Sequence, residues 1–138
     1  MEELAARRAA RTLADEIADR EDLEQARAAL SEGQQLTDAD PLSRWINADV
    51  AFHAAIHRLS GNRAILDTVS EQWPHFKRCM GAVLNAPALR HRVWAEHADI
   101  LAAIEAGAVE KAGRLARNHT ETAGADLVDR LEIDTAAA

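Results

Sequence analysis

The chain has 138 residues, 48% hydrophobic and 28% charged, which suits one compact domain burying roughly two thirds of its unfolded surface and excludes a disordered polymer. Its formal net charge of −7, from 23 acidic and 16 basic side chains, excludes the broad basic footprint that holds phosphate backbones. A single cysteine, Cys79, excludes an intramolecular disulfide and a multi-cysteine metal site, and the charged stretch MEELAARRAARTLADEIADRED has no apolar core of a leader or membrane span, so a reducing cytoplasm is the expected location.

Alanine-rich stretches favour helix, and β-branched residues nowhere alternate with polar ones over a strand length. The reading is all-α, with about six helical segments. The first covers about 2–18 and the second about 21–32, ended by Gly33, with QQLTDAD as a polar loop. Asp40-Pro41 supplies a cap and a first-turn proline for a third segment over about 41–59. Ser60-Gly61-Asn62 turns the chain into a long fourth segment, which Pro74 should bend near Trp73. Asn85-Ala86-Pro87 opens a fifth over about 87–106, Gly107 ends it, and a sixth runs over about 108–132 before a frayed DTAAA tail. Short connections between long helices imply antiparallel neighbours in a bundle.

On the third segment Trp45, Ile46, Val50 and Ile56 trace the apolar face, and Asp49 and His53 fall within the same stripe, one turn apart. His97 lies among Val93, Ile100, Leu101 and Ile104, and His119 is flanked by Ala112, Leu115, Ala116 and Leu127. A lone histidine on an apolar face is most often a hydrogen-bonded core residue. Three imidazoles and a carboxylate sent inward together would each cost on the order of 1–3 kcal/mol if left without partners. A shared divalent ion removes that cost, because imidazole nitrogens and a carboxylate oxygen become ligands. His57, one further turn along, is read as a surface residue or one behind the ligands, and His75 and His91 as solvated.

The run Asp49-Val50-Ala51-Phe52-His53, then Ser60-Gly61-Asn62, then Glu96-His97-Ala98-Asp99-Ile100, and finally His119 resembles the FCD family, the C-terminal effector-binding domains of FadR-type GntR transcription regulators. The resemblance covers nearly the whole chain, from Leu4-Ala5-Ala6 to about Leu131. It implies an antiparallel bundle of six or seven helices around a central metal and ligand cavity, with residues 1–138 as a single such domain. Its metal ligands carry over onto Asp49, His53, His97 and His119, for one divalent ion such as zinc, nickel or manganese. It also implies a small carboxylate effector, a homodimer and no catalysis. Arg78 is a candidate for the anion contact, since a guanidinium grips a carboxylate bidentately, although a solvated arginine near Glu71 or Asp67 fits as well.

The winged helix-turn-helix of such regulators is expected to be absent from this chain, so DNA is expected to be reached only through such a missing module. Two other functions compete. Three histidines and an aspartate could activate water in a metal-dependent hydrolase, although Glu96, as a neighbour of His97, points about 100° away from it. A metal-free helical module binding a long apolar ligand is the other.

Overall fold

The computed structural model describes residues 1–137, with Ala137 as backbone alone. Seven helices follow one another: α1 Glu2–Ala14, α2 Arg20–Gln35, α3 Leu42–Leu59, α4 Arg63–Ser70, α5 Trp73–Leu84, α6 Pro87–Glu105 and α7 Val109–Ala137. The described residues contain no strand, and the chain is an all-α bundle. No helix among them is long and apolar enough to cross a membrane.

Alanine sets the closeness of the packing as well as the helicity. On α1, Ala5, Ala6, Ala9 and Ala10 form a buried stripe, and α7 meets it with Ala112, Gly113 and Ala116. Small side chains let the two backbones approach, and a Cβ at Gly113 would come within 2.6 Å of the Arg7 side chain. Helix α1 lies against α3, α6 and α7, and α2 lies along α3. Phe52, Leu59, Ile65, Leu84 and Ile104 are the largest apolar side chains sealed between them.

Several expected boundaries move, each for a local reason. Helix α1 stops at Ala14 because Glu16 turns left-handed (φ 57°), and Ile17 N–H and Glu16 N–H close back onto Thr12 O and Leu13 O. Gly33 does not end α2, which runs on to Gln35; its missing side chain accommodates the indole of Trp94. Asp40 does not cap α3. Its carboxylate accepts from Thr37 N–H at 2.8 Å and pairs with Arg44, and Pro41 occupies the cap position. The fourth segment is two helices, not one bent helix. The chain breaks at Glu71-Gln72, so Pro74 falls in the first turn of α5, where its missing N–H costs nothing. Gly107 ends α6 with φ 67°, as its position suggested. The expected tail is helical as far as Ala137, where α7 ends, and Ala138 lies outside the described residues. On α3, Ile46 and Val50 are only half-buried, and Ala48, Phe52 and Ala55 take their place inside.

Candidate metal centre

Helix α3 carries Asp49 and His53 one turn apart, α6 brings His97 and α7 brings His119 to the same interior point. All four are buried, from 0% exposure for His97 to 6% for His119. Asp49 Oδ1 sits 3.3 Å from His53 Nε2 and 3.2 Å from His97 Nε2. The three histidines each present a nitrogen within 4.8 Å of the others. Their rings pack closely, with centroids 5.0 Å apart for His53 and His97, 4.8 Å for His97 and His119, and 5.6 Å for His53 and His119. Phe52 stacks on His97 at 4.3 Å and Trp94 meets it edge-on, which walls the imidazole in hydrocarbon.

The short distances to Asp49 lack hydrogen-bond geometry. Both Asp49 oxygens and both His97 nitrogens are buried without a hydrogen-bond partner among the described residues. Each such atom costs about 1–3 kcal/mol when it is sealed from water. The Asp49 carboxylate and the one His97 nitrogen that faces it, beside two more imidazoles, make a donor set that fits a divalent cation of borderline softness.

The charges of Asp49 and His97 agree with that chemistry. Burial opposes ionisation of Asp49, yet the adjacent His53 and His97 outweigh it and hold the carboxyl well below the usual carboxylate range. Burial also opposes a charged His53, but Asp49 and Glu2 push it up to about 10. For His97 burial wins over the attraction of Asp49, and the imidazole is pushed down to about 4. An anionic Asp49 and a neutral His97 are the forms in which both can ligate, whereas His53 ligates once a metal displaces its extra proton.

Carboxylates also stand behind two of the histidines. Glu2, in the first turn of α1, places Oε2 3.0 Å from His53 Nδ1 and Oε1 2.6 Å from His57 Nε2. Glu96 reaches across from α6 to His119 Nδ1 at 3.4 Å. Burial works against their charges, but the imidazoles hold Glu2 far below its ordinary value, and His119 and Arg92 lower Glu96. Arg92 pairs with Glu96 and, more closely, with Asp126 of α7.

Of the side chains singled out from sequence, Asp49, His53, His97 and His119 come together and Arg78 does not. Phe76 of α5 faces His53, ring centroids 5.3 Å apart. Arg78, two positions on and so turned by about 200°, is exposed. The guanidinium linked to the cluster is that of Arg92, through Glu96. Of the two readings of His57, the surface one is corrected and the one behind the ligands holds: it is fully buried, stacked on Trp73, and shares Glu2 with His53. His75 and His91 are exposed, as their positions beside helix interruptions implied. Glu2 escaped the sequence reading, and Glu96, weighed there only beside His97, serves His119 instead. Glu2 had a signal, because it lies one turn ahead of Ala5 and Ala6 on the stripe that continues through Ala9 and Ala10.

The cavity beside the cluster is small, about 10 Å³, and is lined by Glu2, Ala6, His53, Ile56, Ile100, Ala116 and His119. It has room for roughly one water-sized particle.

No curated protein matches this chain. A family model does: that of the FCD domain, over residues 1–122. With seven helices in the bundle and three inward histidines inside the matched span, the chain belongs to the FCD domain family, the effector-binding domains of GntR-type transcription regulators.

Proposed function

We propose that the chain is a metal-dependent sensing domain for a small carboxylate, with one divalent ion held by Asp49, His53, His97 and His119. The observation that carries this reading is the buried, partnerless Asp49 carboxylate and His97 imidazole, at the point where His53 and His119 also converge. Zinc, nickel and manganese all suit such ligands. When bound, the ion supplies a positive charge on which a carboxylate can be held.

The protein's own residues prepare that point. Phe52 and Trp94 exclude water from His97, and Glu2 and Glu96 hold the outer nitrogens of His53 and His119. Arg92 is the cation placed to assist an anion at the His119 side. A cavity of about 10 Å³ is too small for any organic effector, so binding one requires helices α1, α3, α6 and α7 to shift. That shift is the conformational signal, and it can be no larger in free energy than the effector's preference for the shifted state. We read residues 1–138 as one such domain, working as a homodimer; with a net charge of −7 it contacts DNA only through a separate module.

The test is elemental analysis of protein purified without added metal, followed by thermal melts with chelator, with zinc, nickel or manganese, and with acetate or citrate. About one equivalent of metal, a lower melting temperature on chelation, and carboxylate stabilisation of the loaded protein alone are expected. His97→Ala should abolish all three effects. Protein that purifies without metal and melts at the same temperature with and without added ions overturns the proposal.

A further inference from the structure

Glu2 is the polar side chain that α1 sends to the cluster, and its position is specific. The side chain is three-quarters buried, with 24% of its surface exposed. One carboxylate oxygen meets His53 Nδ1 at 3.0 Å and the other meets His57 Nε2 at 2.6 Å. The opposite nitrogen of His53, Nε2, is the one that faces Asp49. A bond from Nδ1–H to Glu2 therefore fixes both the rotation of the ring and the tautomer that leaves Nε2 a donor of its lone pair.

His57 braces the carboxylate in turn. Its ring stacks on Trp73 at 5.6 Å, Trp73 meets Phe76 edge-on at 5.4 Å, and Phe76 meets His53 edge-on at 5.3 Å. The contacts run from Glu2 through His57, Trp73 and Phe76 back to His53, which Glu2 itself touches. His53 is thus held on the side away from Asp49 by residues of three helices, α1, α3 and α5.

We infer that Glu2 is a positioning residue for His53, and that through it occupancy of the metal centre is coupled to docking of the first turn of α1. This rests on the four-ligand reading above. Coupling of this kind is reciprocal: whatever fixes the first turn of α1 tightens the centre by the same factor by which a filled centre fixes that turn. Helix α1 is suited to the task because it packs on α3, α6 and α7, the three helices that carry the ligands.

The experiment is a zinc titration against a chromophoric chelator for the wild type, Glu2→Gln and Glu2→Ala, with amide hydrogen exchange of residues 5–10 measured with and without zinc. Glu2→Ala is expected to weaken zinc binding about 10–100-fold. Glu2→Gln, whose amide oxygen can still accept from Nδ1–H, should lose less. In the wild type zinc should slow exchange of the α1 amides, beginning with Ala5 N–H on Met1 O, and in Glu2→Ala it should not. Affinity unchanged within twofold in both variants, with only a lower melting temperature of the metal-free protein, would reduce Glu2 to a structural ion pair and overturn the inference. If Glu2→Ala does not fold, the Gln variant and the wild-type exchange decide. A wild type that binds no zinc, nickel or manganese overturns the four-ligand reading as well; binding that ignores Glu2 overturns this inference alone.

Discussion

Replacing Gly33 by alanine tests how tightly the wall of the centre is packed. A Cβ there would stand 2.4 Å from Cε2, Cζ2 and Cη2 of Trp94, about 1 Å inside ordinary contact. The indole cannot retreat easily, because it is buried against His97 at 4.5 Å and Phe52 at 6.3 Å. Overpacking of this kind costs about 1–3 kcal/mol, and the gain in helix propensity returns about 1 kcal/mol. A rigid, enclosed ring puts the penalty toward its upper end, so Gly33→Ala should destabilise by about 1–2 kcal/mol. For 138 residues the unfolding entropy is about 0.3 kcal/mol/K, which makes the drop in melting temperature about 3–7 °C. Gly124→Ala is the matched control, since a Cβ there meets nothing within 4 Å on an exposed stretch of α7. It should raise the melting temperature by about 2–3 °C through propensity alone. Calorimetry on the two variants reads the difference directly, and a Gly33→Ala protein stabilised as much as Gly124→Ala would refute the packing argument.

Two further outcomes follow from local features. Glu16 holds a left-handed φ of 57° to close α1, a conformation that costs a side chain about 1–2 kcal/mol, so Glu16→Gly should leave stability unchanged or raise it by up to about 1 kcal/mol in denaturant titration. A marked loss would show that the Glu16 side chain makes a contact that outweighs the strain. In chelated protein, stability should peak near pH 6.5. Between about 4 and 6.5 the unfolded chain carries a proton on His97 that the folded chain refuses, so stability rises with pH; between 6.5 and about 10 the folded chain keeps a proton on His53 that the unfolded chain has lost, so it falls. His97→Phe should remove the acid-side slope, and an undiminished slope between pH 5 and 6.5 in that variant would contradict the assignment.

Periodicity along single helices carried the reading a long way. A residue at i, i+4 from a buried neighbour shares its face, so Asp49, His53, His97 and His119 could each be assigned to an inward stripe without knowing how the helices meet. The same logic reaches His57, one turn beyond His53, and Glu2, one turn ahead of the alanine stripe. Arg78 was chosen for its charge, not its face, and α5 turns it away.

The composition and local pattern determined by themselves that the chain is helical, roughly where most of its helices begin and end, and which side of α3, α6 and α7 is buried, because these depend on neighbours within a few residues. Only the tertiary structure decided what each inward side chain meets: Glu2 beside His53 and His57, Glu96 beside His119 and not His97, and Trp94 over Gly33. Those contacts join residues 23 to 61 positions apart, and a helix's own period records which way it faces but not which residue of another helix stands opposite.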